Sequence, residues 1–424
     1  MRIIYVTAQT PWGGEEFILP EILAMRKAGH KVTVIPVRPS RQLAPGTEAR
    51  EVQRDAVALP LLGFRTIFLA LAETGRRPLL AIKTLARVVR ATNGWRKLAK
   101  NMLVFPKALA LAHTARLLKA DHIHAHWAST TATAAYVASS MSGIPWSFTA
   151  HRWDIQEDNM LKEKVRTASF VRVINKRGLT EIDRIVGYEL SRKVRVIHMG
   201  VDTEKYGPAR FGLPNTSNDK TPLIVCPANF VPVKGHRYLL DALAQVKLKG
   251  LSFKCWFFGA GPLEDALKRQ TAELCLTDYV DFRGRLPHPE LLELFNSGLV
   301  DIVVLPSIVT KDGACEGIPV ALMEAMAAGI PVVSTRTGGI PELVEGAGLL
   351  VDPADSTELA SAIMELIGNP ELRLKLAEAG RSAVQRDFSL SSIVLQLSES
   401  MASGVGGFLP PNLDKAGQKE VRLQ

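Results

Sequence analysis

Two glutamates, Glu316 and Glu324, lie eight residues apart in an almost wholly apolar stretch, CEGIPVALMEAMAAGIPVVST (residues 315–335). Between Pro319 and Gly329 the only charged side chain is Glu324. A carboxylate in an apolar setting is costly to bury unless it has a partner. The pair therefore predicts that a ligand, or a buried cation, meets the chain here.

A helix is predicted directly after Glu316. Pro319 suits the first turn of a helix and Gly329 suits its end, which gives a helix over about 319–328 that contains Glu324. The start of a helix has free N–H groups and the positive end of the helix dipole. It therefore predicts an anion site, and a diphosphate would suit it.

The two carboxylates suit the neutral ends of such a ligand. Glu316 would repel a phosphate placed beside it, so its role is better explained if it reaches hydroxyl groups. Glu324 could accept hydrogen bonds from both hydroxyls of a ribose, because a neutral diol brings two donors without a second charge. A diphosphate with hydroxyls on both sides is a nucleotide sugar. The structural alternative is that each glutamate pairs with a buried arginine.

Short apolar runs rich in β-branched residues alternate with helical segments along the chain. This alternation predicts parallel βαβ units, in an α/β class of two doubly wound Rossmann-like halves that face each other across a cleft. Ligands bind such halves at the carboxyl ends of the strands. The predicted strands include RIIYVTA, KVTVIPV, HIHAHW, IPWSFTAH, LIVCPANF, FKCWFFG, DYVDFRG and DIVVLPS.

The motifs around the two glutamates resemble those of the retaining glycosyltransferases of the GT-B fold, family four. The glutamate pair is followed by TGGIPELV, and further motifs occur in the family's order: GGEEF, HAHW, TAHRWD, VIHMGVDTEKY, VKGH, GAGP and VDFRG. The resemblance covers most of the chain. The most similar subgroup makes bacterial exopolysaccharide, as the colanic-acid transferases do.

The resemblance implies a role for each domain. The stretch GPARFGLPNTSNDKTP is rich in Gly, Pro, Asn and Ser, and it predicts a linker over 207–222. The preceding residues 1–206 would form an acceptor-binding domain, and residues 223–386 a nucleotide-sugar-binding domain. A helix over 387–402 would cross back to the first domain, as in the family, and residues 403–424 would form a flexible tail.

The resemblance also implies site residues. His151 would touch the donor sugar near the reacting carbon, Lys234 would neutralise the diphosphate, and Glu316 would contact the sugar hydroxyls; these are the three predicted catalytic residues. The predicted donor-binding residues are Gly13, Gly14, Asn229, Arg285, Gly317, Ile318, Pro319, Val320 and Glu324. The predicted acceptor cleft contains Glu15, Glu16, His126 and Arg152, although Glu15 and Glu16 could instead cap the start of a helix.

Asn229 departs from the family pattern. The family has Gly-Arg-Leu-Val where this chain has ANFV (residues 228–231), so Asn229 replaces the arginine that binds phosphate. The loss of a fixed cation removes stabilisation of the leaving group. Lys234 and the helix dipole remain, and His236 or Arg237 could compensate.

No metal and no cofactor are expected, because the family transfers sugars without metal and with retention. It does so by front-face attack, with an oxygen of the leaving phosphate as the base. No Asp-x-Asp motif occurs in the chain. His122, His124 and His126 alternate on one predicted strand and could suggest zinc, but no fourth ligand lies at a useful spacing.

Basic residues concentrate between residues 60 and 120, where twelve Lys or Arg stand against one acid, Glu73. Residues 79–105 mix apolar and basic positions at helical spacing, which predicts a helix lying on an anionic membrane surface. The alternative is a core helix with a solvated basic face. A nucleic-acid partner is not expected, because no known motif for one is present. Nor is there an apolar leader or spanning run, so we expect a cytoplasmic location, peripheral on the inner face of the membrane.

These observations predict a retaining hexosyltransferase. It would move a sugar from a nucleotide-diphosphate donor to a lipid-linked or membrane-proximal glycan acceptor in cell-surface polysaccharide biosynthesis. Two alternatives remain. One is a catalytically degenerate assembly partner, which Asn229 would favour. The other is a sugar epimerase of the same fold, which would be expected to lack the spacing of Glu316 and Glu324.

Overall fold

The computed structural model describes residues 1–11, 15–40, 46–207 and 221–406. Within these ranges the strands form two parallel sheets of six strands each. The strands are β1 (Arg2–Thr7), β2 (Lys31–Pro36), β3 (His122–His126), β4 (Trp146–Ala150), β5 (Phe170–Val173), β6 (Val194–Val196), β7 (Leu223–Pro227), β8 (Lys254–Phe258), β9 (Val280–Phe282), β10 (Ile302–Leu305), β11 (Val332–Thr335) and β12 (Leu349–Val351).

Helices cover both faces of the sheets, and short 3₁₀ turns lie at Glu16–Ile18, Thr203–Lys205 and Pro232–Lys234. The helices are α1 (Leu19–Lys27), α2 (Thr47–Arg54), α3 (Phe64–Arg76), α4 (Pro78–Ala91), α5 (Trp95–Leu117), α6 (Thr130–Ser142), α7 (Trp153–Gln156), α8 (Leu161–Thr167), α9 (Lys176–Val186), α10 (Tyr188–Ser191), α11 (His236–Leu248), α12 (Glu264–Glu273), α13 (His288–Asn296), α14 (Val320–Ala327), α15 (Ile340–Val344), α16 (Ser356–Gly368), α17 (Pro370–Asp387) and α18 (Leu390–Gly406).

The strand order places one topological switch point in each sheet. The first sheet runs β2-β1-β3-β4-β5-β6 and the second runs β12-β11-β10-β7-β8-β9. The chain therefore winds in opposite directions from the β1/β3 pair and from the β7/β10 pair. In open parallel sheets, ligands bind beyond the carboxyl ends of the strands at such points. The predicted α/β architecture of two doubly wound halves is confirmed.

Each sheet has a continuous hydrophobic core, as expected for parallel strands that are covered on both faces. Strands such as β3 and β4 are buried at every residue. The helix α18 packs on the first sheet, where Ile393, Leu397 and Met401 join Ile3 and Tyr5 in one buried cluster. The chain therefore returns to the domain in which it began. Residues 208–220 of the predicted linker and residues 407–424 of the predicted tail lie outside the described residues.

The basic region between residues 60 and 120 folds as α3, α4 and α5, and α5 lies against α6 and α3. Not all of its twelve cations are solvated, which differs from a wholly solvated basic surface. The Arg116 guanidinium pairs with the buried carboxylate of Glu73, and the Lys107 ammonium donates to the carbonyl of Leu59. Burial lowers the pKa of Lys107 to about 8. Among the helices of the described ranges, none combines the length and the apolar character needed to cross a membrane.

Candidate active site

The switch point of the second sheet brings Lys234 and Glu316 together. Lys234 ends the 3₁₀ turn that follows β7, and Glu316 lies in the loop that follows β10, the neighbouring strand. The Lys234 ammonium lies 2.8 Å from a carboxylate oxygen of Glu316. Both side chains are half-buried. The sequence separates these residues by 82 positions, and the topology alone makes them partners.

Two glycines hold this ion pair in place. Gly235 follows Lys234 with a φ of 67°, and a Cβ there would lie 1.9 Å from the carbonyl oxygen of Pro306. Gly338 has a φ of 60°, and a Cβ there would lie 1.9 Å from the carbonyl oxygen of Glu316. Only glycine accepts both the left-handed backbone and the close approach. The loops that carry the two charges are therefore fixed by direct backbone packing.

Glu324 is 5% exposed on α14, and the structure gives it two partners that the sequence did not reveal. The Nε2 atom of His288, at the start of α13, lies 2.5 Å from a carboxylate oxygen of Glu324. The hydroxyl of Tyr206 also bonds this carboxylate. The bond to Glu324 raises the pKa of His288, while burial and then Glu324 raise the pKa of Tyr206. The structural alternative of a buried arginine for each glutamate differs from what is observed, because Glu316 meets Lys234 and Glu324 meets the exposed His288.

The start of α14 is close to the expected one. The helix begins at Val320, one residue after the predicted first helical position, and Pro319 is its N-cap. Gly317 and Ile318 are half-buried in the loop between Glu316 and the helix. The first N–H groups of any helix have no intrahelical partner, so those of α14 can bind an anion.

The remaining donor-side predictions fall in two exposed loops. Asn229 is exposed after β7, and Arg285 is exposed after β9, in the loop that leads to His288. His236 does not replace the missing arginine. It is buried against Phe230 in an edge-to-face contact, and burial lowers its pKa to about 4, so its imidazole carries no charge near neutral pH. The guanidinium of Arg237 lies over the ring of Tyr238.

The first sheet contributes His151, which follows β4 and is 9% exposed. The buried carboxylate of Asp154 fixes its backbone by accepting the N–H groups of His151, Arg152 and Ala128. Burial, and then the neighbouring His126 and Arg172, hold the pKa of His151 well below its usual range. Its Nε2 atom is buried and has no hydrogen-bond partner among the described residues. The imidazole is thus neutral, and one of its nitrogens has an unused hydrogen-bonding capacity.

Two predicted acceptor contacts lie beneath the cleft surface instead. His126 is fully buried, with its Nε2 atom 3.3 Å from Glu21, because β3 is covered on both faces. The buried Glu15 carboxylate accepts the N–H of Gln9 and the indole N–H of Trp127. Gly13 and Gly14 lie outside the described residues, as does the side chain of Glu16.

The side chain of Arg152 extends from the first domain to the second. Its guanidinium donates to the carbonyl oxygens of Cys315 and Gly313, and the distance to Gly313 is 2.7 Å. It therefore holds the loop that carries Glu316. A second interdomain contact joins the backbone N–H of Lys176 to the carboxylate of Glu342 at 2.8 Å. The two carboxyl edges thus face each other across the cleft.

The buried histidines of β3 are part of a polar network. Glu21, His124 and His126 place possible metal-ligand atoms within 4.8 Å of one another. However, the guanidinium of Arg172 already lies 2.5 Å from Glu21, and a cation beside that carboxylate opposes a second one. Both ring nitrogens of His124 have hydroxyl partners, in Ser147 and Thr149. These residues fit a structural network better than a metal site.

Known proteins are similar to this chain along most of its length. The family model described as "Glycosyl transferase 4-like domain" matches residues 13–206, and the one described as "Glycosyl transferases group 1" matches residues 214–383. The chain belongs to the family-four-like glycosyltransferases of the GT-B fold. The resemblance on which the site residues were predicted is therefore confirmed at the level of the family.

Individual relatives agree with this assignment. The chain is 29% identical to an amylovoran biosynthesis glycosyltransferase of Erwinia amylovora, over 94% of this chain and 98% of that protein. It is 36% identical over 210 residues to WcaL of Escherichia coli (strain K12), a protein named for colanic acid biosynthesis. That match covers 49% of this chain, and it spans only half the length of WcaL. Among solved structures, Anabaena HepE in complex with UDP has a TM-score of 0.68 at 20% identity, over 95% of this chain and 100% of that one.

The pairing of His288 with Glu324 predicts a pH-dependent affinity for nucleotides. A ribose that bonds Glu324 must displace His288, and displacement is harder when the imidazole is protonated. Because Glu324 raises the pKa of His288, the ion pair is formed below that raised pKa and lost as the pH rises through it. UDP, GDP and ADP are the nucleotides to test by calorimetry. The one that binds should do so more tightly at pH 8.5 than at pH 6.5.

His288→Asn is the matched variant, because it removes the titrating group and leaves the titration of the nucleotide unchanged. We expect the variant to show a flatter pH dependence than the wild-type chain. Equal pH dependence in the two proteins would contradict the competition between His288 and the ribose.

Proposed function

We propose that this chain transfers a sugar, with retention, from a nucleoside-diphosphate donor to a lipid-linked or membrane-proximal glycan acceptor in exopolysaccharide biosynthesis. The observation that carries the proposal is the pairing of Lys234 with Glu316 at the switch point of the second sheet, opposite His151. The names of the amylovoran and colanic acid relatives support the pathway. The UDP complex of the Anabaena protein supports a nucleotide donor.

The site suits the charges that such a reaction develops. Cleavage of the bond between sugar and phosphate builds negative charge on the diphosphate and positive charge on the sugar. The Lys234 ammonium and the N-terminus of α14 would stabilise the negative charge. Glu316, once Lys234 turns to the phosphates, would accept hydrogen bonds from the sugar hydroxyls. Glu324 would exchange His288 for the ribose. The neutral imidazole of His151 would bond a sugar hydroxyl without repelling the developing positive charge.

In this proposal the leaving phosphate oxygen takes the proton of the acceptor hydroxyl on the same face of the sugar. No protein nucleophile and no metal are required. The anomeric configuration of the product should therefore equal that of the donor, and a chelator should leave the rate unchanged. Product stereochemistry can be read by nuclear magnetic resonance.

Loss of Lys234 or Glu316 should abolish most of the transfer. Removal of one fixed donor to a developing negative charge costs roughly 10²–10³ in turnover, so we expect a loss of about that size for Lys234→Met. Glu316→Gln should also lower turnover, because an amide accepts fewer hydroxyl bonds than a carboxylate. The assay measures nucleotide release from UDP-glucose, UDP-galactose and GDP-mannose, with a lipid extract of an exopolysaccharide-producing bacterium as acceptor.

Lys249→Met is the matched control, because Lys249 is an exposed lysine at the end of α11 in the same domain. It should retain wild-type turnover. Turnover that is unchanged in Glu316→Gln and in Lys234→Met would contradict the assignment. If the wild-type chain is inactive and Asn229→Arg restores transfer, the degenerate assembly partner becomes the correct alternative.

The proposed membrane location rests on exposed apolar side chains among the exposed cations of α3 and α4. On α3, Phe64, Phe68 and Leu71 recur at spacings of four and three residues, so they share one face, and Phe64 is 89% exposed. On α4, Leu79 and Ile82 are likewise exposed. Large exposed apolar surfaces mark interaction sites, and the accompanying positive charge fits an anionic bilayer.

Replacement of Phe64 and Phe68 by serine should weaken binding to vesicles that contain phosphatidylglycerol. Each phenylalanine buried in lipid contributes about 1.5–3 kcal/mol, so the double variant should bind at least roughly a hundredfold more weakly in a sedimentation assay. Leu248→Ser removes an equally exposed apolar side chain from α11 of the second domain and should bind like the wild-type chain. Equal binding by the double variant and by Leu248→Ser would contradict the membrane assignment.

A further inference from the structure

The carboxyl edge of the first sheet has an exposed aromatic surface that no predicted site residue explains. Trp153 begins α7 directly after Arg152, and it is 60% exposed. Its ring stacks on Trp127, with the ring centroids 5.1 Å apart and the planes 30° apart. Trp127 in turn lies 4.2 Å, centroid to centroid, from the ring of His151. The three rings form a row, the aromatic row, which runs from the solvent to the buried imidazole.

The structure holds Trp127 in a fixed and unusual position. Its φ is 76°, a left-handed conformation that is uncommon for a residue other than glycine. The buried carboxylate of Glu15 accepts its indole N–H. Glu15 follows β1 and Trp127 follows β3, so this bond spans the switch point of the first sheet. Phe17 contacts the edge of the same indole, with the centroids 5.8 Å apart.

Two further observations describe the two ends of the aromatic row. The Nε2 atom of His151, at the inner end, is buried without a hydrogen-bond partner among the described residues. The guanidinium of Arg152, the neighbour of Trp153, donates a hydrogen bond to the carbonyl of Cys315, the residue directly before Glu316. The aromatic row therefore lies close to the loop of the second domain that carries Glu316.

We infer that Trp153, supported by Trp127 beneath it, binds the acceptor by stacking its exposed ring face on the apolar C–H face of the acceptor's terminal sugar ring. A pyranose has such a face beside hydroxyls that point outward in its plane, and an indole offers a broad, rigid apolar surface to it. This inference rests on the proposed function, because it assigns the acceptor subsite of that same reaction. It also gives Glu15 a positioning role, through Trp127, in place of a direct acceptor contact.

The test uses the full chain with a saturating nucleoside diphosphate, and it follows the six indole N–H signals by nuclear magnetic resonance. The probes are methyl β-D-glucoside, methyl β-D-galactoside and methyl α-D-mannoside. We expect at least one probe to shift the signals of Trp153 and Trp127. The signal of Trp95, an indole that is 75% exposed on α5, serves as the internal control and should not move.

Variants separate stacking from a structural role of the indole. Trp153→Ala should weaken the binding of that glycoside roughly tenfold, as expected for the loss of an aromatic contact, and Trp153→Phe should restore part of it. Both variants should bind the nucleotide as the wild-type chain does. Trp95→Phe should leave the affinities for glycoside and nucleotide unchanged.

The outcomes keep the two proposals apart. A wild-type chain that binds no nucleotide contradicts the proposed function itself. If the nucleotide binds but none of the three glycosides moves Trp153 or Trp127, the acceptor subsite is overturned. An equal shift of Trp95, or equal glycoside affinity in Trp153→Ala, overturns it as well.

Discussion

Lys234 and Glu316 meet because their loops follow the carboxyl ends of two neighbouring parallel strands, β7 and β10. From these two strands the chain continues in opposite directions across the sheet. A half-buried carboxylate needs a partner, and in the described structure the nearest available cation is the ammonium on the adjoining loop. The same requirement pairs Glu324 with His288 and Tyr206. The donor must therefore exchange with contacts that already exist. Lys234 would leave Glu316 for phosphate, and His288 would leave Glu324 for ribose.

The first sheet contributes different types of side chain to its side of the cleft. Its switch point is bridged by the bond between Glu15 and Trp127, and the surface above it is aromatic. The second sheet presents charged side chains at the cleft, and the first presents apolar rings and a neutral imidazole. Arg152 connects the two, because it starts beside Trp153 and ends on the carbonyl before Glu316. One side chain thus links the backbone beside Trp153 to the loop that carries Glu316.

The sequence predicts the fold well because its strands are short apolar runs and its helices end at glycines. The helix that carries Glu324 was predicted to within about one residue at each end, since Pro319 and Gly329 mark its limits. The pairing of Lys234 with Glu316 needed the strand order, which local patterns do not contain. His288 could not be found either, because only the path of α13 over α14 brings it to Glu324. The motifs predicted that His126 and Glu15 line the cleft surface, whereas both side chains are buried beneath that surface.

The most direct test of this account is calorimetric titration of UDP, GDP and ADP into the wild-type chain and into Glu324→Ala. The account predicts that one of the three nucleotides binds the wild-type chain. In Glu324→Ala the affinity should fall at least roughly tenfold, because two hydroxyl bonds to a charged acceptor are lost. Absence of binding by all three nucleotides, or equal affinity in the variant, would contradict the claim that the lone carboxylate of α14 serves a nucleotide.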